Sequence, residues 1–317
     1  MFTLPNTIRA AFVTKTQRLG TEIVPCYSVL GVMGGVGMPI VLSHFQARPL
    51  LAAREAGRTS CAASPDLGLT TVDVVIQSDG ALFPDGAVLA WPMAEEIADS
   101  ENACFTLENG CIEKIQTFSD DTNRFCSLMP TQGAPTLLLA GFPMHRIKDT
   151  DPHQDTLSKI KAVAPVVGRV LDTATGLGYT AIEACRTAEE VITIELDPAV
   201  LEIARLNPWS RALFENPKIT QMAGDSFDVI EEFEDASFTR VIHDPPTFSL
   251  AGELYSGAFY GQLFRVMRRG GRLFHYIGDL DRGHGQRVAR GAMRRLQEAG
   301  FNEVRPYPRA FGLVAHK

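Results

Sequence analysis

Four short segments of the chain carry residues that suit the capture of a nucleoside-like ligand with a reaction beside it. The first is Val170-Leu171-Asp172-Thr173-Ala174-Thr175-Gly176-Leu177-Gly178-Tyr179-Thr180-Ala181, an apolar pair, a small-residue turn and a helix start. Gly176 and Gly178 lack a Cβ, so the backbone can turn tightly and approach a ligand, which then meets the free N–H groups of a helix N-terminus. The second segment, Thr193-Ile194-Glu195-Leu196-Asp197-Pro198, ends an apolar run on an acid. A carboxylate there can accept two hydroxyl hydrogen bonds from a ribose diol. The third is Ala223-Gly224-Asp225-Ser226-Phe227, and the fourth Ile242-His243-Asp244-Pro245-Pro246-Thr247-Phe248-Ser249. His243, next to Asp244, is the best-placed general base, with a packed core histidine as the competing reading. Asp172 and Asp225 are equally open to a reading as helix caps, and Asp197 before Pro198 reads as one.

Each segment sits where a strand should end. From Val170 onward apolar runs alternate with helical stretches over short connections, the pattern of a doubly wound parallel sheet. The strands read are 169–173, 191–196, 218–223, 239–243, 272–277, 302–307 and 311–316, with helices at 178–187, 198–206, 226–233, 257–268 and 285–299. Gly270-Gly271 reads as the stop of the fourth of these helices and Gly300 as that of the fifth. No full helix separates the last two strands, so the last should run antiparallel at the end of the sheet. The fold class expected is α/β: a Rossmann-like, doubly wound seven-stranded sheet with an antiparallel last strand, plus a smaller β-rich N-terminal domain.

That front part is read from local signals. Ile8 to Arg18 suits a short helix, and the glycine-rich run from Gly31 to Pro39 has no Lys-Ser/Thr after it, so it is not a Walker loop. Leu50 to Glu55 reads as helical. Short strands follow, and Glu108-Asn109-Gly110 between two of them is a hairpin signal. The expected division is 1–133 for a small β-rich domain, 134–157 for a connector and 158–317 for the ligand-binding domain. In the connector His145, Arg146, His153 and Asp155 form a polar cluster, read either as a linker with a helix capped by Asp155 or Thr156, or as the mouth of the site.

Composition limits the alternatives. The formal net charge is −7. Residues 1–133 hold 8 Lys+Arg against 14 Asp+Glu, a balance of −6, and residues 134–317 hold 22 against 23, a balance of −1. An acidic front half is a poor dock for a phosphate backbone. No apolar run approaches the roughly 20 residues of a membrane span, and the first residues lack a signal-peptide pattern; a cytoplasmic location is expected. Cys26, Cys61, Cys104, Cys111, Cys126 and Cys185 include no Cys-x-x-Cys pair, which favours reduced thiols. The histidines show no His-x-x-x-His pair, so no metal is expected. Nine arginines between Arg265 and Arg295 face only Asp279 and Asp281. They read as a solvated helix face or, more sharply, as a site for a phosphate-bearing substrate.

Taken together, residues 158–317 resemble the class I S-adenosylmethionine-dependent methyltransferases. The glycine turn is similar to that family's first motif, Glu195 to its ribose-binding acid and Gly224-Asp225-Ser226 to its adenine-contacting segment. The resemblance implies S-adenosyl-L-methionine as cofactor, held by Asp172, Thr175, Gly176, Gly178, Glu195, Leu196, Asp225, Ser226 and Asp244. The dinucleotide fingerprint is less well matched, since its third glycine is missing. Asp244-Pro245-Pro246 is similar to the Asp/Asn-Pro-Pro-aromatic motif of enzymes that methylate planar amines, and the run to Ser249 to that of some ribosomal-RNA guanine methyltransferases. Here Thr247 stands where the aromatic belongs and Phe248 follows. That resemblance implies catalytic roles for Asp244 and Pro245, with His243 beside them, and an acceptor site including Phe248, Tyr255, His145 and Arg146.

A second resemblance competes. Glu253-Leu254-Tyr255-Ser256, Phe259-Tyr260, Leu263-Phe264 and Gly270-Gly271-Arg272-Leu273 look like the corresponding region of spermidine synthases, which transfer an aminopropyl group from decarboxylated S-adenosylmethionine. The chain lacks their acidic glycine turn. His-Asp-Pro-Pro with Leu-Ala-Gly-Glu-Leu-Tyr-Ser also resembles an uncharacterised group of predicted methyltransferases. The expectation is therefore N-methylation of an acceptor left open among small molecule, RNA and protein. Aminopropyl transfer is the alternative, and a non-catalytic adenosyl-binding protein the third. No membrane partner is expected, and a homodimer is one option.

Overall fold

The computed structural model describes residues 39–317 and, before them, one strand pair, Val13–Leu19 antiparallel to Glu22–Ser28. The helix read over Ile8 to Arg18 is thus replaced, from Val13, by a strand. Val13, Thr14 and Thr16 are β-branched, and their stiffness at χ1 favours extended backbone. The glycine-rich run before Pro39 lies outside the described residues.

The C-terminal part is a seven-stranded sheet. Its strands are β1 (Arg169–Asp172), β2 (Glu190–Glu195), β3 (Ile219–Ala223), β4 (Phe238–His243), β5 (Met267–Tyr276), β6 (Asn302–Tyr307) and β7 (Gly312–His316). The spatial order is β3-β2-β1-β4-β5-β7-β6. All neighbours are parallel except β7, which is antiparallel to both β5 and β6. The last strand is antiparallel as expected, but it lies inside the sheet and β6 forms the edge. Burial explains the placement. Leu313, Val314 and Ala315 in β7 are all buried, whereas β6 exposes Asn302, Glu303, Arg305 and Pro306. Pro306 donates no ladder hydrogen bond, which suits an edge.

Helices α1 (Pro152–Ala162), α2 (Tyr179–Ala184), α3 (Pro198–Leu206), α4 (Ser226–Val229), α5 (Gly257–Val266) and α6 (Gly283–Glu298) flank this sheet. α1 is capped by Asp151, whose carboxylate accepts from His153 N at 2.8 Å and Gln154 N at 3.1 Å. Asp155 and Thr156 are therefore not its cap; they lie inside the first turn and face the interior. α5 ends at Val266, and Gly270-Gly271 belong to β5. Gly270 takes φ +77 and its N–H donates to Lys317 O at 2.7 Å, so the glycines form an irregularity in a strand and not a helix stop. Gly300, at φ +106, does follow α6.

The front part consists of short antiparallel sheets and two helices, His44–Glu55 and Trp91–Asp99. Asn109 and Gly110 join Phe105–Glu108 to Cys111–Lys114 with both φ values positive, 51 and 73, the requirement of a tight hairpin turn that matches strand twist. Thr136–Leu139, read as connector, is a strand paired with Arg124–Met129. Its buried Leu137 and Leu139 join Cys126, Val170, Tyr179, Val200 and Ile203 in one core cluster. Cys61, Cys104, Cys126 and Cys185 are free thiols, but Cys111 is disulfide-bonded, against the expectation of thiols throughout. Among the described residues no helix is long and apolar enough to cross a membrane.

Asp197 joins the front sheet to the large sheet. Its Oδ1 accepts from Ala199 N at 3.0 Å, capping α3, and from Ser119 Oγ at 2.8 Å, while Oδ2 accepts from Thr122 Oγ1 at 2.7 Å. Asp197→Ala removes a cap and two charge-assisted bonds at once. It should lower stability by roughly 3 kcal/mol, read as a lower urea midpoint with an unchanged far-UV spectrum; an unaltered midpoint would show that the joint carries no load.

Candidate active site

The switch point of the sheet falls between β1 and β4, because the chain runs outward from β1 to β3 on one side and returns at β4 on the other. A crevice beyond the strand carboxyl ends is dictated there. It is present as a cleft at the strand ends, roofed by the front part of the chain. The floor is Thr173, Ala174, Thr175 and Gly176 after β1; Glu195 ends β2 and Leu196 follows it; Asp225 and Ser226 follow β3; Asp244, Pro245 and Pro246 follow β4. All four segments singled out by sequence converge on this one space.

Each wall has an identifiable support. Gly176 takes φ +52 and a Cβ built on it meets nothing within 4 Å, so a side chain there would occupy the space offered to a ligand. Gly178, at φ +77, is needed for another reason, since a Cβ would lie 2.6 Å from Leu213 Cδ2. Glu195 accepts from Gly176 N at 2.8 Å through Oε2 and from Asp197 N at 3.1 Å through Oε1. An ionised carboxyl has about four lone-pair sites, so capacity remains for a diol. Burial raises Glu195 to about 7, opposed by the Asp197 and Gly176 N–H groups. Asp225 caps α4 through Oδ1, accepting from Phe227 N at 2.8 Å, and lines the cleft. Leu196, 53% exposed, offers an apolar lid at the same wall.

Asp172 is placed differently from its expected role. It lies beneath the turn, fully buried, with Oδ2 accepting from Thr180 Oγ1 at 2.8 Å and Thr193 Oγ1 at 3.1 Å. It braces the turn from below. Burial raises it to about 7, with Thr180 opposing.

His243 does not face the cleft. Its Nε2 must donate to Leu254 O, 2.9 Å away, because a carbonyl only accepts; Nδ1 is then the acceptor for Thr173 Oγ1 at 2.7 Å. Both ring nitrogens are occupied, and burial lowers the ring to about 3. The general-base reading is corrected: His243 ties the 250–255 loop to the strand end. Tyr255 is likewise buried and donates from its hydroxyl to Pro246 O at 3.0 Å. Phe248, 47% exposed, packs edge-on to Tyr255 with centroids 5.4 Å apart and does not line the cleft. Displacement of the aromatic by one position carries it outside. Arg146 is not an acceptor-site residue either. It donates to Asp155 Oδ1 at 3.2 Å and Arg309 O at 2.9 Å, and stacks on Phe311. His153 lies beside Glu183 at 3.3 Å. His145 alone of that cluster lines the cleft, its Nδ1 3.0 Å from Thr136 Oγ1, and burial together with the Lys159 cation lowers it to about 3.

Sequence reasoning missed Lys159. Its ammonium is 1% exposed and lies 2.6 Å from Asp244 Oδ2 and 2.9 Å from Asp155 Oδ2. Desolvation lowers such a cation, but the two carboxylates reverse that and hold it above the ordinary lysine value. For Asp244, burial pushes the carboxyl up and Lys159 opposes the shift. The available signal was Asp155-x-x-x-Lys159, a pair on one helix face, which does not reveal the third partner. The front sheet was missed as well: Thr122, Arg124, Leu137, Leu139 and Met144 roof the cleft. In the arginine-rich segment Arg265 and Arg295 bind backbone carbonyls, Phe233 O at 2.6 Å and Tyr255 O at 2.9 Å. Among the described residues no cluster suits a metal ion.

No family model matches the chain. The uncharacterized protein MJ1233 of Methanocaldococcus jannaschii is 46% identical over 239 residues, which are 75% of this chain and 81% of that protein. Polyamine aminopropyltransferase 2 of Streptomyces coelicolor is 32% identical over 131 residues, 38% of this chain but only 24% of the relative. A spermidine synthase in complex with the transition-state analogue AdoDATO superposes with a TM-score of 0.53 at 19% identity, over 65% of this chain and 74% of that one. Spermidine synthase from Thermotoga maritima gives 0.51 at 19% identity, over 66% and 75%. These two likenesses show a shared fold.

The buried acids beneath the cleft make stability depend on pH. Asp172 at about 7 in the folded chain lies above its unfolded value of about 4. The folded state therefore binds more protons between these values, and this contribution to stability falls as pH rises through about 7. His243 and His145, lowered to about 3, act with the opposite sign from about 3 upward. The clean readout is thus a difference: Asp172→Asn should gain urea resistance relative to wild type as pH is raised from about 4 to about 7, and the gain should level off above that. A constant difference would assign Asp172 an ordinary acidity.

Proposed function

The chain belongs to one family with the uncharacterized protein MJ1233, and on that footing we propose that it is an S-adenosyl-sulfonium-dependent transferase that methylates a nitrogen. The observation that carries the reading is the convergence of Glu195 and Asp244 on one cleft, from the ends of β2 and β4 on either side of the glycine turn. The donor set fits S-adenosylmethionine. Glu195 has lone pairs left for the ribose, Asp225 lines the cleft to meet the adenine amine, and the open space over Gly176 admits the methionine portion. When bound, S-adenosylmethionine supplies a methyl group on positively charged sulfur.

The chain's own residues do the rest. Asp244 Oδ1 and the Pro245 carbonyl accept hydrogen bonds from the acceptor nitrogen, fix its lone pair in line and offset the positive charge that develops on it. Tyr255 holds Pro246 O, and His243 holds Leu254 O, so the turn carrying both acceptors is clamped from two sides. The front sheet excludes water from above. Lining acids Glu195, Asp197, Asp225, Asp244 and Glu253 outnumber the lining cation Arg124, which favours a cationic sulfonium and an amine over an anionic acceptor.

Aminopropyl transfer from decarboxylated S-adenosylmethionine is the second reading, favoured by the partial identity to a polyamine aminopropyltransferase. Against it, the turn contributes only Thr173, Ala174, Thr175 and Gly176 to the lining, with no acid to receive the terminal ammonium. A cofactor-binding protein without turnover is the third reading. Calorimetry separates the first two: S-adenosylmethionine should bind, and exclusive binding of the decarboxylated form would sink the methyl reading. Affinity should rise with pH up to about 7 and then level off, as Glu195 ionises, and Glu195→Gln should bind more weakly and without that dependence. Tritiated-methyl labelling of fractionated extract identifies the acceptor. Asp244→Asn should then reduce transfer by about 100-fold or more with cofactor affinity nearly unchanged; lost affinity would make Asp244 a cofactor ligand only.

A further inference from the structure

We propose that Lys159 is a positioning residue for the reaction: it takes one oxygen of Asp244 and so presents the acid to the cleft as a carboxylate with a single free oxygen. The inference rests on the transfer reading above. Lys159 is 1% exposed and is absent from the cleft lining, so its cation does not recognise a ligand directly. It donates to Asp244 Oδ2 at 2.6 Å and pairs with Asp155 Oδ2 at 2.9 Å, with the Tyr276 ring 5.1 Å from the ammonium. Arg146 pairs with the other oxygen of Asp155 at 3.2 Å. Two cations thus stand against two carboxylates, and Asp244 is the one member of the set that lines the cleft.

The charged and titratable groups around Asp244 come from every neighbouring element. Lys159 and Asp155 face it from α1, Asp172 from β1, Tyr255 from the turn before α5 and Tyr276 from β5. His145 and Arg146, from the front part, reach Lys159 and Asp155. Lys159 is the group among them that donates to Asp244. Without it, Asp155 and Asp244 would share a desolvated space, where neighbouring carboxylates do not both stay ionised. A protonated Asp244 would keep only a neutral, weaker acceptor oxygen and could offer its hydrogen to the amine lone pair, which opposes attack. With Lys159 in place the free oxygen accepts one N–H, so the geometry calls for an acceptor nitrogen that carries at least one hydrogen.

The test follows the carboxyl carbons of 13C-labelled aspartate through pH by NMR in wild type, Lys159→Met and Lys159→Arg, with Asp244→Asn assigning the resonance. Lys159→Met should raise the Asp244 midpoint by about two units or more, and Lys159→Arg should keep it near wild type. The acid limb of tritiated-methyl transfer should move up in step, with S-adenosylmethionine affinity unchanged. A midpoint in Lys159→Met within about half a unit of wild type would overturn the proposal. Absence of label transfer by wild type would instead remove the enzymatic reading while the titration still reported on Lys159. Should Lys159→Met not fold, Asp155→Asn substitutes. It leaves Lys159 to Asp244 alone and should lower the midpoint, and a rise would count against the role assigned to Lys159.

Discussion

The site depends on one buried charge. Lys159 sits where an unpaired ammonium would be expelled, and it stays because Asp155 and Asp244 lie within 2.9 and 2.6 Å of it. Attraction in such a place must offset desolvation of several kcal/mol per ion, and an apolar trio of equal volume would pack with less difficulty. The arrangement therefore makes most sense as a device for holding Asp244 rather than for holding the fold. It couples α1, which follows the front sheet in the chain, to the loop after β4, where the proposed chemistry lies. The cleft is consequently not a property of the large sheet alone.

The same coupling recurs at the other end of the cleft. Asp197 caps α3 and accepts from Ser119 and Thr122 of the front part, while Tyr179 at the start of α2 donates to Pro135 O at 2.9 Å. Both residues themselves line the site. The front sheet is thus bonded to the first turns of the helices whose N-termini face the ligand, and a shared core lies behind those bonds. A roof attached in this way can shape the space over the strand ends, and through Arg124 it adds a cation to the lining.

Legibility in the sequence followed the range of the interactions. The glycine turn, Glu195, Asp225 and Asp244 were readable because each depends on a local rule: a strand end, a φ above zero, a cap. The order of the last two strands was not, since hairpin partners can add to a sheet on either side; comparing the apolar run of β7 with the polar β6 would have settled it. His243 was misplaced for a simple reason. Adjacency in a strand puts alternate side chains on opposite faces, so a residue next to a cleft acid points away from the cleft. Lys159 was invisible because its partner Asp244 lies 85 positions along the chain, and nothing local distinguishes a buried lysine from a solvated one.

Charge distribution bears on the acceptor. The nine arginines between Arg265 and Arg295 suggested a phosphate-bearing substrate, yet Arg265 and Arg295 are spent on backbone carbonyls and Arg282 and Arg294 on Asp279 and Glu298, at 3.1 and 3.6 Å. None of the nine lines the cleft, whose ionisable walls are mainly acidic. A polyanion would therefore meet repulsion where transfer is proposed to occur, whereas an amine would gain from each carboxylate it passed. The apolar roof of Leu137, Leu139 and Met144 adds a further selection, because an acceptor must leave water to reach Asp244. An amine with an apolar flank meets both conditions, and it does so with methyl or aminopropyl as the group transferred. On the reading proposed above, the feature that favours methyl over aminopropyl is the uncharged lining of the glycine turn.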